Sequence, residues 1–237
     1  MLSDCGLEIV SFSGIDGAGK STQIGALQTG LSELGLRSTV LTFWDDIVVL
    51  GGLREFISHQ AFGGDEGVGS PEKPISRRDK NVTSTHVIAG RLLLYFLDAV
   101  YLRLFCLQLR NTEADVVIFD RYIYDELANL PLDHGFARWY VRLILSLVPE
   151  PDIAYLVDAD PAAARARKPE YPVEFLRQNR ERYLALSTLA GNMTVIEPVS
   201  LEAATARMMD TWLGVHGTSP GSAARLKVRA PEVSNQG

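Results

Sequence analysis

The segment Gly14-Ile15-Asp16-Gly17-Ala18-Gly19-Lys20-Ser21 limits the fold of this chain more than any other stretch. It satisfies G-x-x-x-x-G-K-[ST]. It stands between the apolar run Leu7–Ser13 and a helical repeat of Ile24, Leu27, Leu31 and Leu34. Strand, glycine turn and helix in that order are the context in which backbone N–H groups wrap phosphates. The helix adds its positive N-terminal end. Gly14, Ile15, Asp16, Gly17, Ala18, Gly19, Lys20, Ser21 and Thr22 therefore form the expected phosphate site of bound ATP. Lys20 is expected to reach the β- and γ-phosphates, and Ser21 to ligate Mg²⁺. The bland alternative is a glycine turn that binds nothing.

The rest of the chain alternates strands with helices. Beta-rich runs are expected at Leu7–Ser13, Ser38–Trp44, Asp115–Phe119, Asp152–Val157 and Met193–Ile196. Helical spacing is expected over Lys20–Leu34, Thr83–Arg110, Tyr122–Leu130, Ala137–Leu147, Val173–Leu189 and Leu201–Leu213, with a short helix over Ile47–His59. Gly35 sits where a C-cap belongs. With the phosphate loop, this alternation predicts an α/β protein: a three-layer P-loop kinase fold, with a five-stranded parallel sheet flanked by helices. One kinase domain is expected over residues 1–216. It would carry a mobile loop at 61–82, rich in Gly, Pro and charge, and a lid near 160–170. Residues 217–237 lack periodicity and read as a disordered tail. Ligands in such folds lie beyond the carboxyl ends of the strands, where Asp16, Asp120 and Asp158 stand.

Composition narrows the function. The net charge of −6 over 237 residues argues against a general nucleic-acid binder. The most apolar stretch, Val87–Leu109, is interrupted by Arg91, Asp98 and Arg103, so no membrane span is expected and a core or interface helix is the better reading. Cys5 and Cys106 make neither a disulfide framework nor a metal spacing. No secretory signal is read at the N-terminus, and the cytoplasm is the expected location. Asp120 closes the run Val116–Phe119 and is a candidate Mg²⁺ ligand; the alternative is a helix N-cap.

With these residues in place the chain resembles the thymidylate kinases, a group of nucleoside monophosphate kinases. The resemblance rests on Gly14 to Gln23, on Asp120-Arg121-Tyr122, and on Asp158 followed by Pro161, Arg165 and Arg167. It implies that Asp16 touches the acceptor sugar and that Arg121 holds the acceptor phosphate. It implies that Arg165 and Arg167 belong to a lid closing over ATP. Since Gly17 leaves the phosphate loop without an arginine, the lid is expected to supply the catalytic one. Lys20, Arg121, Arg165 and Arg167 are thus the expected catalytic residues. Trp44 and Tyr95 are candidates for a base pocket, with core packing as the alternative. A homodimer through the long apolar helix is also implied.

The acceptor half departs from the family. Phe43-Trp44-Asp45-Asp46 stands where the family has Arg-Glu-Pro-Gly, and Ala99 follows Asp98 where the family has arginine. The residues after Asp-Arg-Tyr are changed as well, to Tyr124-Asp125-Glu126-Leu127-Ala128-Asn129. Arg77-Arg78-Asp79-Lys80 either replaces the lost cations or is a solvated charge run. One of Arg177, Arg180 and Arg182 is expected to reach the site. The expected reaction is ATP-dependent phosphorylation of a nucleoside monophosphate, dTMP or a related acceptor. The alternatives are a kinase of a nucleoside or other small acceptor, or a nucleotide-binding regulator without catalysis.

Overall fold

The computed structural model describes residues 7–44, 85–109 and 112–217. The expected helix at 47–59, the 61–82 loop with Arg77, Arg78 and Lys80, and the tail beyond residue 217 lie outside the described residues. In chain order the elements are β1 (Glu8–Ser13), α1 (Lys20–Glu33), β2 (Ser38–Thr42), α2 (Thr85–Leu109), β3 (Val116–Asp120) and α3 (Ile123–Leu127). There follow α4 (Gly135–Leu147), β4 (Ile153–Val157), α5 (Pro161–Arg167), α6 (Val173–Ala190), β5 (Met193–Ile196) and α7 (Leu201–Gly217).

The five strands form one parallel sheet in the order β2-β3-β1-β4-β5. The three inner strands are buried almost throughout, as their unbroken apolar runs require when helices cover both faces. The edge strands β2 and β5 are only half-buried. Helix α1 packs on α7, α2 on α3 and α4, and α5 on α6. Tyr155 pins α7 to the sheet by donating to the Met208 carbonyl at 2.8 Å, and the Trp212 indole donates to Glu8 at 2.6 Å.

Register decides where the chemistry lies. Phe12 pairs with Asp120 across β1 and β3, and Ser13 pairs with Leu156 across β1 and β4. The carboxyl ends of the three inner strands therefore meet at one rim. The chain leaves β1 toward β2 on one side and later crosses to β4 on the other, so the strand order reverses around β1. That reversal is where open α/β sheets place their ligands.

The helix expected over Tyr122–Leu130 is shorter, Ile123–Leu127. Asn129 and Leu130 bond back three residues to Glu126 and Leu127, tightening into a turn ahead of Pro131. Gly35 closes α1 as expected: its N–H bonds to Ser32 and that of Leu36 to Leu31, the paired pattern of a Schellman end.

Helix α2 is apolar on two faces. Tyr95, Ala99, Leu102 and Cys106 face the core and are buried. Leu93, Leu97, Val100, Leu104 and Leu107 form a second stripe at alternating spacings of four and three, and all are exposed. By length and composition Ala89–Leu109 could cross a membrane. Its charges are nevertheless taken up by the protein: Asp98 is fully buried, and Arg103 donates to the Leu147 carbonyl at 2.9 Å.

Candidate active site

The phosphate loop joins β1 to α1 and is shaped by positions that a side chain would obstruct. Gly14 has φ +141°, and a Cβ there would lie 2.4 Å from the Val157 carbonyl oxygen. Gly17 has φ +80°, and a Cβ there would lie 2.3 Å from the Ala164 carbonyl oxygen. The loop therefore rests directly on the end of β4 and on α5, backbone against backbone. An arginine at position 17 is sterically excluded in this arrangement.

Lys20 opens α1 and folds back under the loop. Its ammonium donates to the carbonyls of Gly14 at 2.8 Å and Ile15 at 2.9 Å. Burial pulls its pKa down to about 8, and Arg121 adds to the shift; Asp125, Asp16 and Asp120 work against it. The lysine thus stands in the field of three carboxylates at the rim.

Asp120 ends β3 half-exposed, and Ser21 is exposed in the first turn of α1. Among the described residues neither side chain donates or accepts a hydrogen bond, and no group of three or more His, Cys, Asp or Glu could cage a metal. Magnesium needs no such cage: one carboxylate, a hydroxyl and the nucleotide phosphates with water suffice. The glycine cradle, with Ser21 and Asp120 uncommitted beside it, fits Mg²⁺ with ATP.

Arg121 follows Asp120 and takes the left-handed conformation, φ +73°. A non-glycine residue there carries backbone strain, which clusters at functional sites. Its N–H bonds to the Phe12 carbonyl at 2.9 Å, tying the end of β3 to β1. One end of the guanidinium pairs with Asp16 of the phosphate loop, the other with Asp125 at 2.8 Å. Burial works against its charge, but Asp125, Tyr183 and Asp16 outweigh burial and raise its pKa above the usual arginine value.

Asp125 is the hub beneath. Its Oδ1 accepts from Arg121 and from the Tyr183 hydroxyl at 2.7 Å, and its Oδ2 accepts from Ser13 Oγ at 2.6 Å and the Tyr122 N–H at 3.3 Å. Sequence reasoning met Asp125 only as a departure from the family and passed over Tyr183. The signal was the four-residue step from Arg121 to Asp125, which sets a base just ahead of the helix against an acid in its first turn.

The segment expected to form a lid contains α5. Asp160 caps it by accepting from the Ala163 N–H at 2.9 Å, and Pro161 takes the first helical position. Arg165 donates to the Tyr171 carbonyl at 3.2 Å, and Arg167 is exposed. Asp158 receives a two-pronged contact from Arg180 of α6, at 2.6 and 2.7 Å. Arg180 is thus the arginine of its helix that reaches the rim.

The positions where arginines were missed are in the core. Phe43 is fully buried and packs on Tyr122, with ring centroids 6.4 Å apart; Ala99 is fully buried on α2. Tyr95 lies on the same buried face of α2, whereas Trp44 is 40% exposed and meets Phe43 edge-on. Fold and loop together define a P-loop nucleotide kinase.

A probable thymidylate kinase of Pyrobaculum aerophilum is 31% identical over 193 residues, which cover 78% of this chain and 85% of that relative. The chain belongs to the thymidylate kinase family. The crystal structure of thymidylate kinase from Ehrlichia chaffeensis shares the fold, with a TM-score of 0.53 and 17% identity over 87% of this chain and 98% of that one. No family model matches the sequence.

Proposed function

We propose that this protein transfers the γ-phosphoryl group of ATP to the phosphate of a nucleoside monophosphate, dTMP or a related acceptor. The observation that carries the reading is the position of Arg121. It bridges the phosphate loop and α3, paired with Asp16 on one side and Asp125 on the other. A phosphate acceptor is already anionic and needs no strong base, so the work is positioning and charge neutralisation. Lys20 would leave the Gly14 and Ile15 carbonyls for the donor phosphates. Ser21 and Asp120 would hold Mg²⁺, whose charge would offset that of the donor phosphates. Arg165 and Arg167 would supply positive charge from α5, because the backbone of Ala164 fills the space beside Gly17.

The acceptor is the open part of the reading. With Phe43 and Ala99 absorbed into the core, neither position offers a cation to the acceptor phosphate. Each charge-assisted bond is worth about 1.5–3 kcal/mol. Two lost bonds weaken binding by roughly two to four powers of ten. We therefore expect dTMP to be bound weakly or to be surpassed by another acceptor. The uncommitted Asp120 carboxylate favours a second reading, in which it takes the proton of a neutral hydroxyl acceptor. Turnover with ATP and Mg²⁺ across a panel of nucleoside monophosphates and nucleosides separates the two. A micromolar KM for dTMP with the highest turnover of the panel would restore a plain thymidylate kinase.

The exposed stripe of α2 suits a second copy of the chain, since alternating steps of four and three are those of a self-pairing helical seam. We infer a homodimer through this face. Sedimentation should give a dimer for the native chain and a folded monomer for Leu97→Asp with Leu104→Asp; a native monomer would exclude it.

A further inference from the structure

Arg121 is held by two acids of different character. Asp16 lies on the phosphate loop and its side chain keeps 26% of its exposure; Asp125 keeps 1%. Asp16 sits on the loop expected to meet the phosphates, whereas Asp125 is sealed beneath it. Ser13 ends the central strand β1, Tyr183 belongs to α6, and both are buried. Their hydroxyls and the Tyr122 N–H fix the carboxylate from three directions while it holds Arg121. A guanidinium has five N–H donors, and the two acids take two of Arg121's, which leaves three for a ligand. Burial, with Asp125 next in order, keeps the Tyr183 phenol well above its ordinary pKa, so it remains a donor.

We propose that Asp125 is a positioning residue of the acceptor site: anchored by Ser13, Tyr183 and the Tyr122 N–H, it locks the Arg121 guanidinium in one orientation toward the acceptor. This rests on the proposed role of Arg121. Asp125 itself touches no substrate. Without it Arg121 keeps its charge and its contact with the half-buried Asp16, but loses the buried, anchored one. The strained backbone at Arg121 sets where the side chain starts; Asp125 sets where it ends.

The experiment has two readouts on the full-length chain. The first is the guanidinium resonances of ¹⁵N-arginine-labelled protein, with Arg121 identified by loss of its signals in Arg121→Lys. In the native chain the Arg121 N–H groups should be resolved and slow to rotate; in Asp125→Ala they should average. The second is kinetics on the best acceptor of the panel. Asp125→Ala should lower kcat/KM for the acceptor on the order of a hundredfold, as misplacement of a binding group does, and leave the KM for ATP nearly unchanged. Asp125→Asn, which can still accept from Arg121, should recover to within about tenfold of native. In Arg121→Ala the further change Asp125→Ala should add nothing. Tyr183→Phe keeps the core filled and carries the test in milder form should Asp125→Ala fail to fold: about a tenfold loss on the acceptor and none on ATP. Additive losses in the double variant, or unchanged Arg121 resonances in Asp125→Ala, would overturn the proposal. Normal acceptor kinetics in Arg121→Ala, with averaged resonances in Asp125→Ala, would instead remove Arg121 from the acceptor site and leave its anchoring by Asp125 standing.

Discussion

Substituting Gly17 by alanine tests the contact between the phosphate loop and α5. The new Cβ would stand 2.3 Å from the Ala164 carbonyl oxygen, 2.9 Å from its carbon and 3.2 Å from its Cα. These are backbone atoms, so no side chain can swing aside. The φ of +80° adds a left-handed penalty of about 1–2 kcal/mol. Overpacking contributes typically about 1–3 kcal/mol. The sum, about 2–5 kcal/mol, corresponds to a fall in melting temperature of roughly 4–20 °C for a chain of this size. Gly19 is the internal control. Its φ of +100° carries the same kind of strain, but a Cβ there would have nothing within 4 Å. Gly19→Ala should therefore lose only the strain, and the difference between the two variants reports the Ala164 contact. The assay is thermal melting of both variants without nucleotide, followed by ATP titration. Gly17→Ala melting no lower than Gly19→Ala would refute the packing of α5 on the loop. It would also reopen position 17 to an arginine.

Lys20→Ala should abolish phosphoryl transfer while its melting temperature stays close to native, because removing a buried ammonium also removes the burial cost that depresses its pKa; turnover near the native rate would refute the donor site. Arg165→Ala combined with Arg167→Ala should lower kcat on the best acceptor on the order of a thousandfold, and an unchanged kcat would exclude α5 as the source of the catalytic arginine. Cys106 is buried, and burial pushes its thiol up to about 12 from 9.0. In a Cys5→Ser background it should resist a disulfide reagent at pH 8 until the chain unfolds. Below pH 9 both folded and unfolded thiols are protonated. Between 9 and 12 the unfolded chain loses its proton first, so this group's contribution to stability declines with rising pH. Labelling of the native chain at the rate of free cysteine would contradict its burial.

The glycine loop was legible in the sequence because backbone geometry there is dictated by residue type. Gly14 and Gly17 are required where the loop meets Val157 and Ala164, and a lysine and a serine must follow at fixed steps. The sheet was legible for the same kind of reason. Val116–Phe119 and Ile153–Val157 are unbroken apolar runs, and only burial on both faces explains them. The positions expected to meet an acceptor were harder to read. Phe43 and Ala99 marked themselves as absent cations, but nothing in their spacing showed that both are sealed in the core. Asp125 resisted most. Its partners Ser13 and Tyr183 lie 112 and 58 residues away in the chain, and only the packing of α3 and α6 on the end of β1 brings them together. The pairing of Asp158 with Arg180 was visible only as an expectation that one arginine of three would reach the rim. Helix α2 gave a mixed signal because apolar residues cover two of its faces, so periodicity could not assign one to the core.

The central claim is that the chain forms a phosphoanhydride on a nucleoside monophosphate. It is tested most directly by ³¹P NMR of a reaction containing ATP, Mg²⁺ and a mixture of nucleoside monophosphates and nucleosides. The account predicts consumption of a nucleoside monophosphate and growth of paired diphosphate doublets beyond those of ADP, absent with Lys20→Ala. Growth of a new phosphomonoester singlet at the expense of a nucleoside, with no monophosphate consumed, would contradict it.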